Sequence, residues 1–130
     1  MTLLFTVTIP GRVAILKSRK KLVRVGNRMI PVSSDAYKIW EAVALVNVRQ
    51  AWGGKPPITV PVIAEMHFYF ENKRGKADLS NCLQGPEDVL QKAGVLFDDS
   101  LIEGHDGSRR HFGYEPRTEI KLYSITRETT

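Results

Sequence analysis

The β-branched and apolar residues from Leu3 to Ile9, closed by Pro10-Gly11, predict a buried strand. Two short apolar runs, Leu22 to Val25 and Met29 to Val32, flank Gly26-Asn27 and predict a tight hairpin, because both turn residues tolerate positive φ. Ser33-Ser34-Asp35 offers N-caps to a helix that runs to about Trp52 and ends at Gly53-Gly54. Ile39, Val43 and Val46 recur there at helical spacing and predict the face that meets a sheet, with Trp40 and Trp52 among its packing residues. From Thr59 to Phe70 the chain alternates, with Val60, Val62, Ala64, Met66, Phe68 and Phe70 on one side and Glu65, His67 and Tyr69 on the other. This is a half-buried strand.

A second helix is expected after Asp78, where Leu79, Cys82, Leu83, Pro86, Val89, Leu90 and Ala93 mark one face and Gly94 the end. Ser80, Gln84, Glu87, Asp88 and Gln91 form a polar stripe opposite. Pro86 inside it predicts either a kink or a helix that begins near that residue. Val95-Leu96-Phe97 then leads to the acids Asp98 and Asp99, Leu101-Ile102 reads as a short strand, a polar loop follows, and Thr118 to Ile125 supplies a last strand. With no repeat or linker, the 130 residues read as one α+β domain, a mixed sheet packed against two main helices.

Composition narrows the function. The apolar runs are too short for a membrane span and no basic leader precedes them, so a cytoplasmic protein with no membrane partner is expected. Cys82 is alone, which removes disulfide scaffolds and cysteine zinc sites. Lys and Arg number 19 against 14 Asp and Glu, a net +5 that favours a polyanionic partner. Arg12 to Arg28 holds no carboxylate, and four of the five residues from Lys17 to Lys21 are cationic. Lys17, Arg19, Lys20, Lys21 and Arg24 therefore read as an arm that grips DNA phosphates, joined by Lys73, Arg74 and Lys76 just before Asp78.

Acids collect instead between Asp78 and Asp106. Hydrolysis of a phosphodiester calls for a divalent ion held by carboxylate oxygens, and a strand, helix, strand path brings Asp78 and Asp99 to the same edge of the sheet. Taken singly, Asp78 equally reads as an N-cap and Asp98-Asp99-Ser100 as a turn. His67, His105 and His111 have no metal-ligand spacing and read as ordinary sheet or surface residues.

The stretches Lys76-Ala77-Asp78-Leu79-Ser80-Asn81, Glu87-Asp88-Val89-Leu90 and Gly94-Val95-Leu96-Phe97-Asp98-Asp99-Ser100 resemble, without a gap, the core signature of RusA-type Holliday junction resolvases. Phe5 to Pro10 and Val32 to Tyr37 extend the likeness weakly. The resemblance implies a homodimeric endodeoxyribonuclease that cuts four-way DNA junctions with Mg²⁺, or Mn²⁺ in its place. Asp78 and Asp99 fall on the family's metal-binding aspartates. Ser80 stands where the family carries a further acid, and Gln84 where it carries a lysine. Asp88, by its match to the pattern, and Glu87 are expected to supply the missing charge as metal or catalytic residues, with Asp98 orienting its neighbour. The alternative is a DNA-binding relative that has lost catalysis; an RNA-binding domain rests on basic charge alone.

Overall fold

Residues 1–15, 21–32, 35–74 and 77–125 are described by the structure, a computed structural model. The expected caps Ser33 and Ser34, and the cations Lys17, Arg19, Lys20 and Lys76, lie outside them. Strands β1 (Thr2–Pro10), β4 (Val62–Phe70) and β7 (Arg117–Ser124) are the long strands of a five-stranded sheet. β7 lies between β1 and β4 and is antiparallel to both. The far edge of β4 is shared by two short parallel partners, β5 (Ile102–Gly104) opposite its beginning and β6 (Arg109–Phe112) opposite its end. The sheet is thus mixed, and the fold is α+β.

β4 alternates as its sequence requires: Val62, Ala64, Met66, Phe68 and Phe70 are buried, and the residues between them are half-buried. Val60 does not join that face. It is 47% exposed, because Pro61 lacks the N–H a ladder needs and the strand begins only after it. The hairpin β2 (Lys21–Val25) and β3 (Arg28–Val32) forms as expected, with positive φ at Gly26 alone. β6 was not legible in the polar loop after Ile102, since its four residues pair with β4 rather than follow an apolar pattern of their own.

The helices are α1 (Asp35–Trp52) and α2 (Leu79–Lys92). α1 turns the other way from the sequence reading. Tyr37, Trp40, Ala44, Val48 and Trp52 are buried, whereas Ile39, Val43 and Val46 are exposed. The helix carries two apolar stripes, and the one with aromatic rings removes more surface from water. α2 runs unbroken through Pro86, so a start near that residue is overturned. Gly85 and Pro86 are buried, and a Cβ on Gly85 would stand 3.1 Å from Trp40 Cζ3, so the glycine lets α1 approach closely. A second contact between the helices is the ion pair of Lys92 with Glu41 at 2.9 Å.

Candidate active site

Asp78 occupies the N-cap position of α2 with extended backbone (φ −60°, ψ 151°), but its carboxylate makes no capping hydrogen bond. An aspartate at this position ordinarily accepts from an N–H of the first turn, a bond that contributes about 1 kcal/mol. Asp78 forgoes it and stays exposed, at the end of the loop that leaves β4.

Two arginines fasten that loop. Arg12 donates to the Arg74 carbonyl at 2.7 Å and stands 5.1 Å over the ring of Phe70. Arg110 of β6 donates to the Ala77 carbonyl at 3.1 Å and stands 5.8 Å from the Phe112 ring centre. Phe70 and Phe112 stack with centroids 5.6 Å apart, so a single aromatic platform carries both guanidiniums. Lys73 adds a third cation, 5.9 Å from Phe112. A cavity of 220 Å³ opens alongside, lined by Arg12, Phe70 and Ala77 among others. The sequence reading found Lys73 and Arg74 but not the roles of Arg12 and Arg110. Only the pairing of β6 with β4 brings Arg110 to this place. Burial, helped by the charge of Asp78, pushes the Cys82 thiol up to about 11 against the lowering pull of Arg110 and Arg12, which disfavours a thiolate there.

Asp99 lies at the other end of α2. Its N–H donates to Gln91 Oε1 at 3.0 Å, in the last turn, and it opens a 3₁₀ turn over Asp99–Leu101. Asp98 caps that turn, accepting from the Ser100 N–H at 3.2 Å and from the Ser100 hydroxyl, whose bond holds the carboxyl below the usual range. Phe97 beside it is 72% exposed. From Asp78 to Gln91 the helix rises about 20 Å at ~1.5 Å per residue. One chain therefore does not bring Asp78 and Asp99 to a common edge, as the strand, helix, strand path led one to expect, because α2 spans the sheet between them. Both positions supply carboxylate oxygens, the donors Mg²⁺ takes, but within one chain they stand too far apart to share an ion. Among the described residues no three His, Cys, Asp or Glu side chains converge on a metal position.

Glu87 and Asp88 do not join Asp78 either. Successive helical residues point about 100° apart, and these two part accordingly. Asp88 binds Lys92 at 3.0 Å, which also binds Glu41 of α1 at 2.9 Å. Glu87 faces β5 and pairs with His105 Nε2 at 2.7 Å, while His105 Nδ1 lies 3.0 Å from the Ala64 carbonyl. The bond to Glu87, and after it the one to Ala64, raises the His105 pKa against the effect of burial. A raised folded-state value means the pair stabilises the fold fully below the ordinary histidine value of 6.5, and the contribution is lost as pH rises through the higher one. Melting temperature against pH should therefore fall across that window in the wild type and flatten in Glu87→Gln. Equal slopes in both proteins would remove the pair from the account of stability.

The face of the sheet away from the helices is polar and aromatic. Glu65 Oε2 is 2.6 Å from His67 Nε2, and His67 Nδ1 is 2.8 Å from His111 Nε2, so the histidines form a hydrogen-bonded row instead of isolated surface residues. Tyr69 is stacked between His111, at 4.5 Å, and the Arg117 guanidinium, at 3.7 Å.

A mixed sheet with two helices on one side, a cationic loop fastened by arginines, and an uncapped aspartate at its end define a protein built to meet a polyanion. The family model for Endodeoxyribonuclease RusA matches residues 10–123, and the chain belongs to that family. A comparison with curated proteins finds no match. None of the described helices is long and apolar enough to cross a membrane.

Proposed function

We propose that the protein is a Mg²⁺-dependent, structure-selective endodeoxyribonuclease that resolves four-way DNA junctions as a homodimer, with Mn²⁺ able to replace Mg²⁺. The observation that carries the reading is the family match over residues 10–123. The uncapped carboxylate of Asp78 beside a cationic loop supports it. Because α2 separates Asp78 from Asp99 in one chain, the metal-holding pair is Asp78 of one copy with Asp99 of a second. When bound, the ion neutralises phosphate charge and makes a water nucleophilic.

The remaining roles belong to the protein's own side chains. Arg12, Lys73, Arg74 and Arg110 hold the phosphate next to the scissile bond, and Lys17, Arg19, Lys20, Lys21, Arg24 and Lys76 hold the flanking backbone, which makes binding steeply salt-dependent. Glu87 shares a helical face with Gln91 and is the acid of α2 nearest in direction to Asp99, whereas Asp88 serves the contact with α1. Ser80 and Gln84 favour a second reading, a DNA-binding relative that does not cut. Incubating the pure protein with an end-labelled four-way junction, with and without Mg²⁺, separates the two. Symmetric nicks that require the metal are expected, and binding without nicks in Mg²⁺ or Mn²⁺ would favour the second reading.

A further inference from the structure

Tyr114 holds an aromatic ring in the open at the end of β4, where the loop to Asp78 begins. The ring is 52% exposed, yet its backbone is fixed on both sides. The Gly113 and Tyr114 N–H groups donate to the Phe70 carbonyl at 2.9 and 3.1 Å, and the Glu115 carbonyl accepts from Arg117 at 3.2 Å. Gly113 permits this turn with a φ of +91°. The ring is oriented as well: it stands at 82° to Tyr69 and 87° to His111, with centroids 5.4 and 6.1 Å away. Tyr69 already has His111 on one face and Arg117 on the other, so its edge is what meets Tyr114. A positive ring edge thus lies on one negative face of Tyr114, the favoured T-shaped contact, and the opposite face looks into solvent.

We infer that the outer face of Tyr114 is a stacking platform for an unpaired base at the branch point of the DNA whose backbone lies on the Asp78 loop. The inference rests on the junction reading above and adds a base subsite to it. A π face takes any base, and a ring held in place beforehand loses little freedom when one stacks on it. Phosphates beside that base find cations: Arg109 is exposed on the same sheet face, opposite His67 in β4, and Lys73 stands at the same end of the sheet, 5.9 Å from Phe112. An apolar protein surface fits poorly here. The Arg117 to Glu119 ion pair at 2.9 Å and the exposed Glu115 border the ring, and covering them with apolar groups would strip charges of water. A base has a polar rim and leaves them wet.

The test measures affinity, with divalent ions removed, for a four-way junction carrying 2-aminopurine at the branch point and for a linear duplex of the same sequence. Binding of the wild type should change the 2-aminopurine fluorescence. Tyr114→Ala should abolish that change and weaken junction binding about tenfold, the scale of one base stacked on an aromatic ring, while duplex affinity holds. Tyr114→Leu, which keeps apolar cover over Tyr69 but has no ring, should behave as Tyr114→Ala, and Tyr114→Phe as the wild type. Tyr123→Ala, on the same face at the other end of the sheet, should alter neither reading. If Tyr114→Leu keeps the fluorescence change, or loses junction and duplex affinity equally, the subsite is overturned and the junction reading stands. A wild type that binds the junction no better than the duplex overturns both.

Discussion

Asp78→Asn and Asp99→Asn are each expected to lose nearly all nicking of a four-way junction, and an equimolar mixture of the two should cut again. Losing an outer-shell partner of a metal commonly costs roughly 10–100-fold, and losing a carboxylate ligand should cost more. Junction binding should persist or tighten, because each change removes a negative charge from the DNA face. Recovery in the mixture follows from the separation of the two acids along α2. If an ion takes Asp78 from one copy and Asp99 from another, a mixed dimer has one site with both residues replaced and one intact. Random reassortment makes about half the dimers mixed, so nicking should return to about a quarter of the wild-type level. A mixture as inert as its components would place both residues' work within one chain, and a single variant that cuts at the wild-type rate would take that residue out of the site.

Phe70→Ala should be the most damaging change outside the acids. Phe70 is 1% exposed, stacks on Phe112, and carries Arg12 on its face. Truncating a buried phenylalanine costs about 3–5 kcal/mol, against a total stability of about 5–15 kcal/mol for a domain. For a chain of this size that corresponds to a fall in melting temperature of roughly 10–20 °C. Phe68 is 0% exposed and should lose a similar amount on truncation, but no guanidinium among the described residues is seated on its ring. Junction affinity measured where both variants are folded should therefore drop in Phe70→Ala and hold in Phe68→Ala. Equal affinities would show that the aromatic platform serves stability alone.

Reading the two helices from sequence had unequal success, for a physical reason. The polar stripe of α2 leaves one apolar face, so Cys82, Val89 and Leu90 go inward without a competitor. α1 has two apolar stripes, and periodicity alone does not rank them. Ile39, Val43 and Val46 have the cleaner helical spacing, but the aromatic stripe wins the core because Tyr37 and Trp40 pack on Gly85.

By itself the sequence determined what depends on near neighbours: the alternation of β4, the hairpin turn at Gly26, Asp78 at the start of α2 and the cations before it. These follow from backbone period, turn chemistry and caps, which act over a few residues. Tertiary structure decided the rest. It chose the inward face of α1, paired β6 with β4 so that Arg110 reaches the Ala77 carbonyl, drew Glu87 to His105 and Asp88 to Lys92, and set Asp78 and Asp99 at opposite ends of one helix. Each of these depends on contacts between segments distant in the chain, whose energies no local pattern carries.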